Sequence, residues 1–381
     1  MCIRTLTLEN LETIKNFKYV GKDNSIFYGY FLSPCLNFLI NFVPTTIAPN
    51  VITLASFLCN IFSFYVTYLN VGNDYDMELS RNTCLLQSII HFLYLVLDNL
   101  DGKQARRTGT SSAYGMLLDH GCDVFTNIIV CFNMSHLLML GDSDFFSPLY
   151  FMALLPGFYI LTYQEYIFGE LTLGYCNGAD EGNLLVAFFS FLGFLFGAEI
   201  YAKEIMGITL GQLIALATFV LSMLTIVVAG LLTILRKTDY KTFIRALYDW
   251  IPLYQLIICP FVTLIFSKYF FIEYFSMIML TLSALFAVQT INLQVTILIK
   301  EKVHYSLMVI IANVAIIITY FCSNEKLYIL IYSFVCIGLF TEIALLIVVR
   351  SIEILNYLNL RLLCINKNDE EAGLNIESSN H

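Results

Sequence analysis

The chain has 381 residues, 58% of them hydrophobic and only 13% charged, with a mean hydropathy of +0.75. Soluble domains carry about 25% charged residues, so these values exclude a disordered chain and argue against a water-soluble globule. The net charge of −9, from 20 Lys and Arg against 29 Asp and Glu, argues against nucleic-acid binding. The 11 cysteines are scattered without a CxxC pair and read as small apolar core residues, not as a disulfide or zinc framework.

Residues 1–30 hold no continuous apolar run, because Glu9, Glu12, Lys15, Lys18, Lys22 and Asp23 interrupt them. A signal peptide is therefore not expected there. The segment reads instead as an amphipathic helix lying on the membrane surface. Ten apolar stretches follow, near 47–71, 83–100, 113–140, 147–167, 183–201, 210–235, 251–267, 272–299, 305–322 and 327–349. Each approaches the roughly 20 residues that cross a bilayer. The fold class expected is an all-α polytopic membrane protein of about ten transmembrane helices, with its active site at the cytosolic side of the N-terminal bundle. Four parts are expected: an N-terminal cytosolic amphipathic segment 1–46, catalytic helices 47–240, C-terminal transmembrane helices 241–363 and a polar cytosolic tail 364–381.

With ten spans both termini share one side. Of the 20 basic residues, all but Arg81, Lys203, Lys268 and Lys326 then fall on that side. Basic residues favour cytoplasmic loops, so both termini are expected in the cytosol.

One stretch is unlike a lipid-facing helix. Asp98 and Asp101 stand at i,i+3 at the end of the second span, and Asp119 and Asp123 at i,i+4 near the start of the third. Each spacing puts two carboxylates on one helix face. A short link with Gly109, Ser111 and Ser112 makes the two helices antiparallel neighbours, so that all four carboxylates converge at one depth. Buried acids of this kind are costly unless neutralised, and two divalent cations would cancel four charges with the oxygen ligands Mg²⁺ or Mn²⁺ prefers. Lys103, Arg106 and Arg107 lie between the pairs. Gly102 permits close approach of a ligand to the backbone, and Gly115 permits close helix packing. Carboxylates, metals and adjacent cations together suit a pyrophosphate. The competing reading is an ion or proton pathway, or a structural ion. His91, His136 and His304 have no neighbouring ligands in sequence and read as structural.

The pattern Asp98-x2-Asp101-Gly102-x2-Ala105-Arg106-x8-Gly115-x3-Asp119-x3-Asp123 resembles the signature of the CDP-alcohol phosphotransferase family at every fixed position. DGKQARRT followed by DHGCD is similar to its choline/ethanolamine branch. So are Phe17–Tyr19 with Gly21, Asp23 and Ser25, then Ala48–Asn50 with Thr53, and the run from Thr162 to Gly182. Ala113, Met116, Tyr163, Gln164, Ile167 and Ala179 depart from the branch pattern outside the signature, which leaves the head group undecided.

The resemblance implies transfer of phosphocholine or phosphoethanolamine from CDP-choline or CDP-ethanolamine to diacylglycerol, releasing CMP, in an endoplasmic reticulum or Golgi membrane. Asp98, Asp101, Asp119 and Asp123 would hold two Mg²⁺ or Mn²⁺ ions. Arg106, with Lys103 second, would meet phosphate oxygens beside Gly102, Ala105 and Gly115. Asn50 and Thr53 would reach the cytidine or else merely start a helix. Glu165 would face a cationic head group. Asp123, deeper in the bilayer, and His120, beside a candidate ligand in sequence, compete for the role of general base, with metal-bound solvent as the third option. The lipid bilayer is the expected partner, with a homodimer left open. Two other functions compete: a CDP-diacylglycerol-dependent phosphatidyltransferase and a cation-coupled transporter.

Overall fold

The computed structural model describes residues 5–141, 145–174, 179–236, 240–321 and 324–365. Arg4, Lys237, residues 175–178 within the Thr162–Gly182 run, and the tail from Asn366 lie outside them. In chain order the helices are α1 (Leu8–Lys15), α2 (Ser33–Leu39), α3 (Pro49–Val71), α4 (Arg81–Arg107), α5 (Ala113–Leu137), α6 (Leu149–Phe168) and α7 (Ala179–Phe196). They continue as α8 (Leu210–Arg236), α9 (Tyr240–Asp249), α10 (Ile251–Phe266), α11 (Lys268–Glu273), α12 (Phe275–Ile299), α13 (Leu307–Thr319) and α14 (Glu325–Leu358). Strand β1 (Gly21–Asp23) pairs in parallel with β2 (Leu171–Leu173), placing Gly21 opposite Leu171.

This is an all-α polytopic membrane protein. Every expected span coincides with a helix. Six of them, α3, α4, α5, α8, α12 and α14, are long and apolar enough to cross a bilayer, while α10 and α13 are shorter apolar helices. Their polarity is inverted relative to a soluble protein. On α3, Thr53, Ser56, Asn60, Ser63 and Thr67 recur every three or four residues and are all buried, whereas Leu58, Ile61, Phe62 and Leu69 face outward. Lipid solvates the apolar side, so the polar stripe turns inward to find partners. Gln87 on α4 donates to Thr67 at 2.7 Å, and Asn133 on α5 donates to Ser63 at 3.2 Å.

Helix α12 is the most enclosed of the six, 89% buried over its most apolar stretch, and packs against α5, α6, α10 and α14. At one end of the bundle Ile14, Ala113, Tyr114, Met116, Leu298 and Ile354 form a single apolar cluster. It joins α1 to the start of α5 and to the ends of α12 and α14, ends that the basic-residue pattern assigns to one side.

Three expectations need correcting. Helix α1 does not simply lie on a lipid surface, because Ile14 is 1% exposed and Asn10 donates to Glu301 at 2.8 Å, docking the helix on protein. The α4–α5 link is only residues 108–112. Residues 101–107 continue α4, since Gln104, Ala105, Arg106 and Arg107 all favour helix and Gly102 is outnumbered. Nor do α4 and α5 pack closely on each other. Helix α3 packs on both.

Helix α8 begins hard against the end of α5, where a Cβ on Gly211 would lie 1.9 Å from the Leu138 carbonyl oxygen. Gly211→Ala should therefore lower the melting temperature in detergent, by the roughly 1–3 kcal/mol typical of overpacking. Gly29→Ala, with open space around it, should melt like the parent.

Candidate active site

Helix phase sorts the residues of α4. At about 100° per residue, Asp98, Asp101, Gly102 and Ala105 share one face, with Arg106 at its edge. Among the described residues, Asp98, Asp119 and Asp123 each present an oxygen within 4.8 Å of the others. Tyr94, one turn before Asp98, donates its hydroxyl to Asp123 Oδ1 at 2.5 Å. Asp101 is 4% exposed and accepts a short hydrogen bond from the Thr53 hydroxyl. It lies within electrostatic range of Asp98 and Asp119. The structure thus gathers three carboxylates and sets the fourth beside them, tied to α3.

The donor set suits a divalent cation. Oxygens around an octahedral Mg²⁺ at 2.0–2.1 Å are separated by about 3–4 Å, close to the spacing observed. Asp119 Oδ1 is buried and accepts no hydrogen bond from any described residue. An acceptor left in that state needs an unseen donor or an ion.

The cations divide. Arg106 is exposed and its guanidinium lies over Gly102, with Nη1 3.3 Å from where a Cβ would stand. It stays close to the cluster, within electrostatic range of Asp101. Lys103, expected near phosphate, is turned away. It donates to Asn37 on α2 at 2.8 Å and sits 5.9 Å from the Tyr28 ring. Arg107 donates to the Ile40 and Val43 carbonyls at 2.7 and 3.0 Å. Both occupy the far face of α4, about 140° and 180° from Asp98.

Asn50 also has a partner of its own. Its amide donates to the Leu362 carbonyl at 2.9 Å, and its Oδ1 lies 3.6 Å from a Cβ built on Gly115. At the rim, His120 meets Tyr19 edge-on at 5.7 Å, and the Gln294 amide donates to the His120 carbonyl at 3.0 Å. Glu165, 3% exposed on α6, and Asp123 lie within electrostatic range of the His120 ring. Strand β1 brings Tyr19 there, because its pairing with β2 and the 2.7 Å Lys22–Glu170 ion pair anchor the N-terminal segment to the end of α6.

Two residues were missed by motif reading. Tyr94 shares the face of Asp98 one turn away, a signal that helix phase carries. Asp180 accepts from Asn99 at 2.7 Å and lies within electrostatic range of Asp98, but only tertiary packing of α7 on α4 brings it there. His91 bonds the Gln87 carbonyl at 2.8 Å, and His136 stacks on Tyr75 at 4.0 Å, in keeping with structural roles.

A membrane bundle that holds clustered carboxylates beside an exposed arginine at a helix end defines a class of site suited to metal-assisted phosphoryl chemistry. Residues 46–166 match the family model described as CDP-alcohol phosphatidyltransferase. The chain is 34% identical over 194 residues to an uncharacterized CDP-alcohol phosphatidyltransferase class-I family protein of Dictyostelium discoideum, covering 51% of this chain and 46% of that one. It is 33% identical over 211 residues to choline/ethanolaminephosphotransferase 1 of Arabidopsis thaliana, covering 54% and 51%. It is 30% identical over 196 residues to CDP-diacylglycerol–serine O-phosphatidyltransferase of Encephalitozoon cuniculi, covering 51% and 50%. The chain thus spans about half the length of the curated relatives it matches.

Mg²⁺ should raise the melting temperature of the purified protein in detergent, since a ligand bound only to the folded state stabilises it. Asp119→Ala should lose most of that rise, while Glu353→Gln, far from the cluster in sequence and paired with Arg350, should keep it. A full rise in Asp119→Ala would remove this carboxylate from the ligand set.

Proposed function

We propose that the chain transfers phosphoethanolamine or phosphocholine from CDP-ethanolamine or CDP-choline to the hydroxyl of diacylglycerol, releasing CMP. The observation that supports this reading most is that Glu165 and Asp123, one of the three clustered acids, both lie within electrostatic range of His120. The cluster suits a metal-bound pyrophosphate, and the rim adds a carboxylate for a cationic head group and a base for a hydroxyl. Asp98, Asp119 and Asp123 would hold Mg²⁺ or Mn²⁺, and Asp101 borders them as the ligand a second ion would need. The chemistry a divalent cation would supply there is to offset pyrophosphate charge and the charge that develops on CMP.

The protein's own groups do the rest. Arg106 neutralises phosphate oxygens, Glu165 attracts the ammonium, and Thr53 holds Asp101 in place. His120 takes the proton from the diacylglycerol hydroxyl as its oxygen bonds to phosphorus and the bond to CMP breaks. Asp123 is the weaker candidate for that proton, because it already accepts from Tyr94 and belongs to the ligand set. The link 108–112, the N-terminal segment and the end of α14 meet at one end of the bundle. With most basic residues assigned there, that end faces the cytosol, where a soluble CDP-alcohol arrives, and both termini lie on that side. An endoplasmic reticulum or Golgi membrane is the setting that goes with this reading.

The second reading is transfer of a phosphatidyl group from CDP-diacylglycerol to serine. It is favoured by the similarity to the Encephalitozoon protein, and serine also presents an ammonium that Glu165 could face.

Purified protein given labelled CDP-ethanolamine or CDP-choline with diacylglycerol should form labelled lipid and CMP only with Mg²⁺ or Mn²⁺ present. Product formed only from CDP-diacylglycerol and serine would select the second reading, and full activity after chelation would remove the metal. His120→Ala should lower turnover about 10²–10⁴-fold, the range for loss of a general base, with donor binding near normal. Normal turnover in His120→Ala with a dead Asp123→Asn would transfer the role to Asp123.

A further inference from the structure

Helix α12 stands between two polar regions. On one face Gln294 reaches the backbone of His120 in the active-site helix. Roughly 150° around the helix, Asn292, Val295, Thr296 and Ile299 line a separate cavity of about 440 Å³, closed on its other sides by α1, residues 301–308 and α14. That volume falls within the range of about 300–1,000 Å³ usual for small-molecule sites.

The lining is graded. Lys302 and His304 are exposed at the mouth, while Met308 and Leu346 form a buried apolar wall. Glu342, on α14 within the span, is 4% exposed and lines the cavity; its carboxylate takes a hydrogen bond from the Ser306 hydroxyl, and its Oε2 accepts none from any described residue. The neighbouring acids are already engaged: Glu301 accepts from Asn10 at 2.8 Å, and Glu353 pairs with Arg350 at 2.7 Å. A buried carboxylate oxygen without a donor is costly, so the cavity calls for a ligand that brings N–H groups to Glu342. The mouth offers the Lys302 cation to an anionic group about four bonds from the ammonium, and the wall accepts hydrocarbon.

We propose that this cavity is a second ligand site that binds an amphiphile whose head carries a primary ammonium and an adjacent phosphate, apart from the three-Asp centre. A quaternary ammonium has no N–H to give to Glu342 and fits poorly, as does a water-soluble amine, which leaves the apolar wall uncovered. The inference does not depend on which lipid the three-Asp centre makes.

The test is photocrosslinking of the full-length purified protein with a photoactivatable ethanolamine-headed phospholipid, followed by peptide mapping. Competitors are unlabelled ethanolamine-headed lipid, choline-headed lipid and free ethanolamine. Adducts are expected on peptides spanning 292–308 and 342–350, displaced by the ethanolamine-headed lipid at a concentration about tenfold or more below that of the choline-headed one, the ratio expected from one charge-assisted hydrogen bond. Glu342→Gln should reduce these adducts by about the same factor and abolish the head-group preference. Leu346→Trp, which fills the cavity and leaves the carboxylate, should remove them. Displacement by free ethanolamine alone at low concentration would make the ligand a soluble amine and overturn the lipid assignment. Equal competition by both lipids, or unchanged labelling in Glu342→Gln, overturns the proposal.

Discussion

The fold is organised around the repulsion of like charges inside an apolar bundle. Two unit charges about 5 Å apart repel by about 3 kcal/mol at an effective permittivity of about 20. Asp98, Asp119 and Asp123 make three such pairs. Fully ionised and alone, they would oppose folding by an amount comparable with the total stability of a domain, about 5–15 kcal/mol. The bundle therefore has to supply positive charge, hydrogen-bond donors or water at that place. Its response is visible in the packing. Helices α4 and α5 pack on α3 more than on each other, Tyr94 donates to Asp123, Thr53 donates to the neighbouring Asp101, and Arg106 stays over Gly102.

The polar interior of α3 follows from the same constraint. A helix that touches both α4 and α5 beneath the carboxylates cannot present only hydrocarbon, because each buried donor on those helices needs a partner. Its Thr, Ser and Asn stripe meets Gln87 on one side and Asn133 on the other. Small side chains there also let the three helices approach closely. Helix α12 serves a different end. Nearly all of it is buried, so it can fix the backbone of His120 through Gln294 on one face and wall off a cavity on the other without yielding to lipid.

How much of this was legible depends on whether the controlling contact is local. The spans were legible because hydrocarbon imposes a run of apolar residues whatever the partner helix. The acid pairs were legible because i,i+3 and i,i+4 spacings are properties of one helix. The docking of α1 was not, since Leu8–Lys15 reads equally well as a surface helix until Ile14 and Asn10 meet α12 and Glu301. Asp180 was hidden for the same reason, its approach to Asp98 being set by the packing of α7 on α4. The second span is expected to end near residue 100, yet α4 runs on to Arg107. On a helix leaving the membrane, charged residues are as much at home as in a loop.

Lys103 shows where the sequence held an answer that composition obscured. Three basic residues between two acid pairs suggest three phosphate contacts if they are simply counted. Helix phase says otherwise. Asp98, Asp101, Gly102 and Ala105 fall within about 60° of one direction and Arg106 at about 80°, while Lys103 and Arg107 lie at about 140° and 180°. Gly102, on the acidic face, leaves room for the Arg106 guanidinium, which lies over it. The two cations on the other face bind the 33–43 segment instead, through Asn37, Ile40 and Val43. They hold the N-terminal segment against α4. The division of labour between Arg106 and its neighbours is thus a consequence of 3.6 residues per turn, and any chain with this spacing, if helical through residue 107, must make the same division.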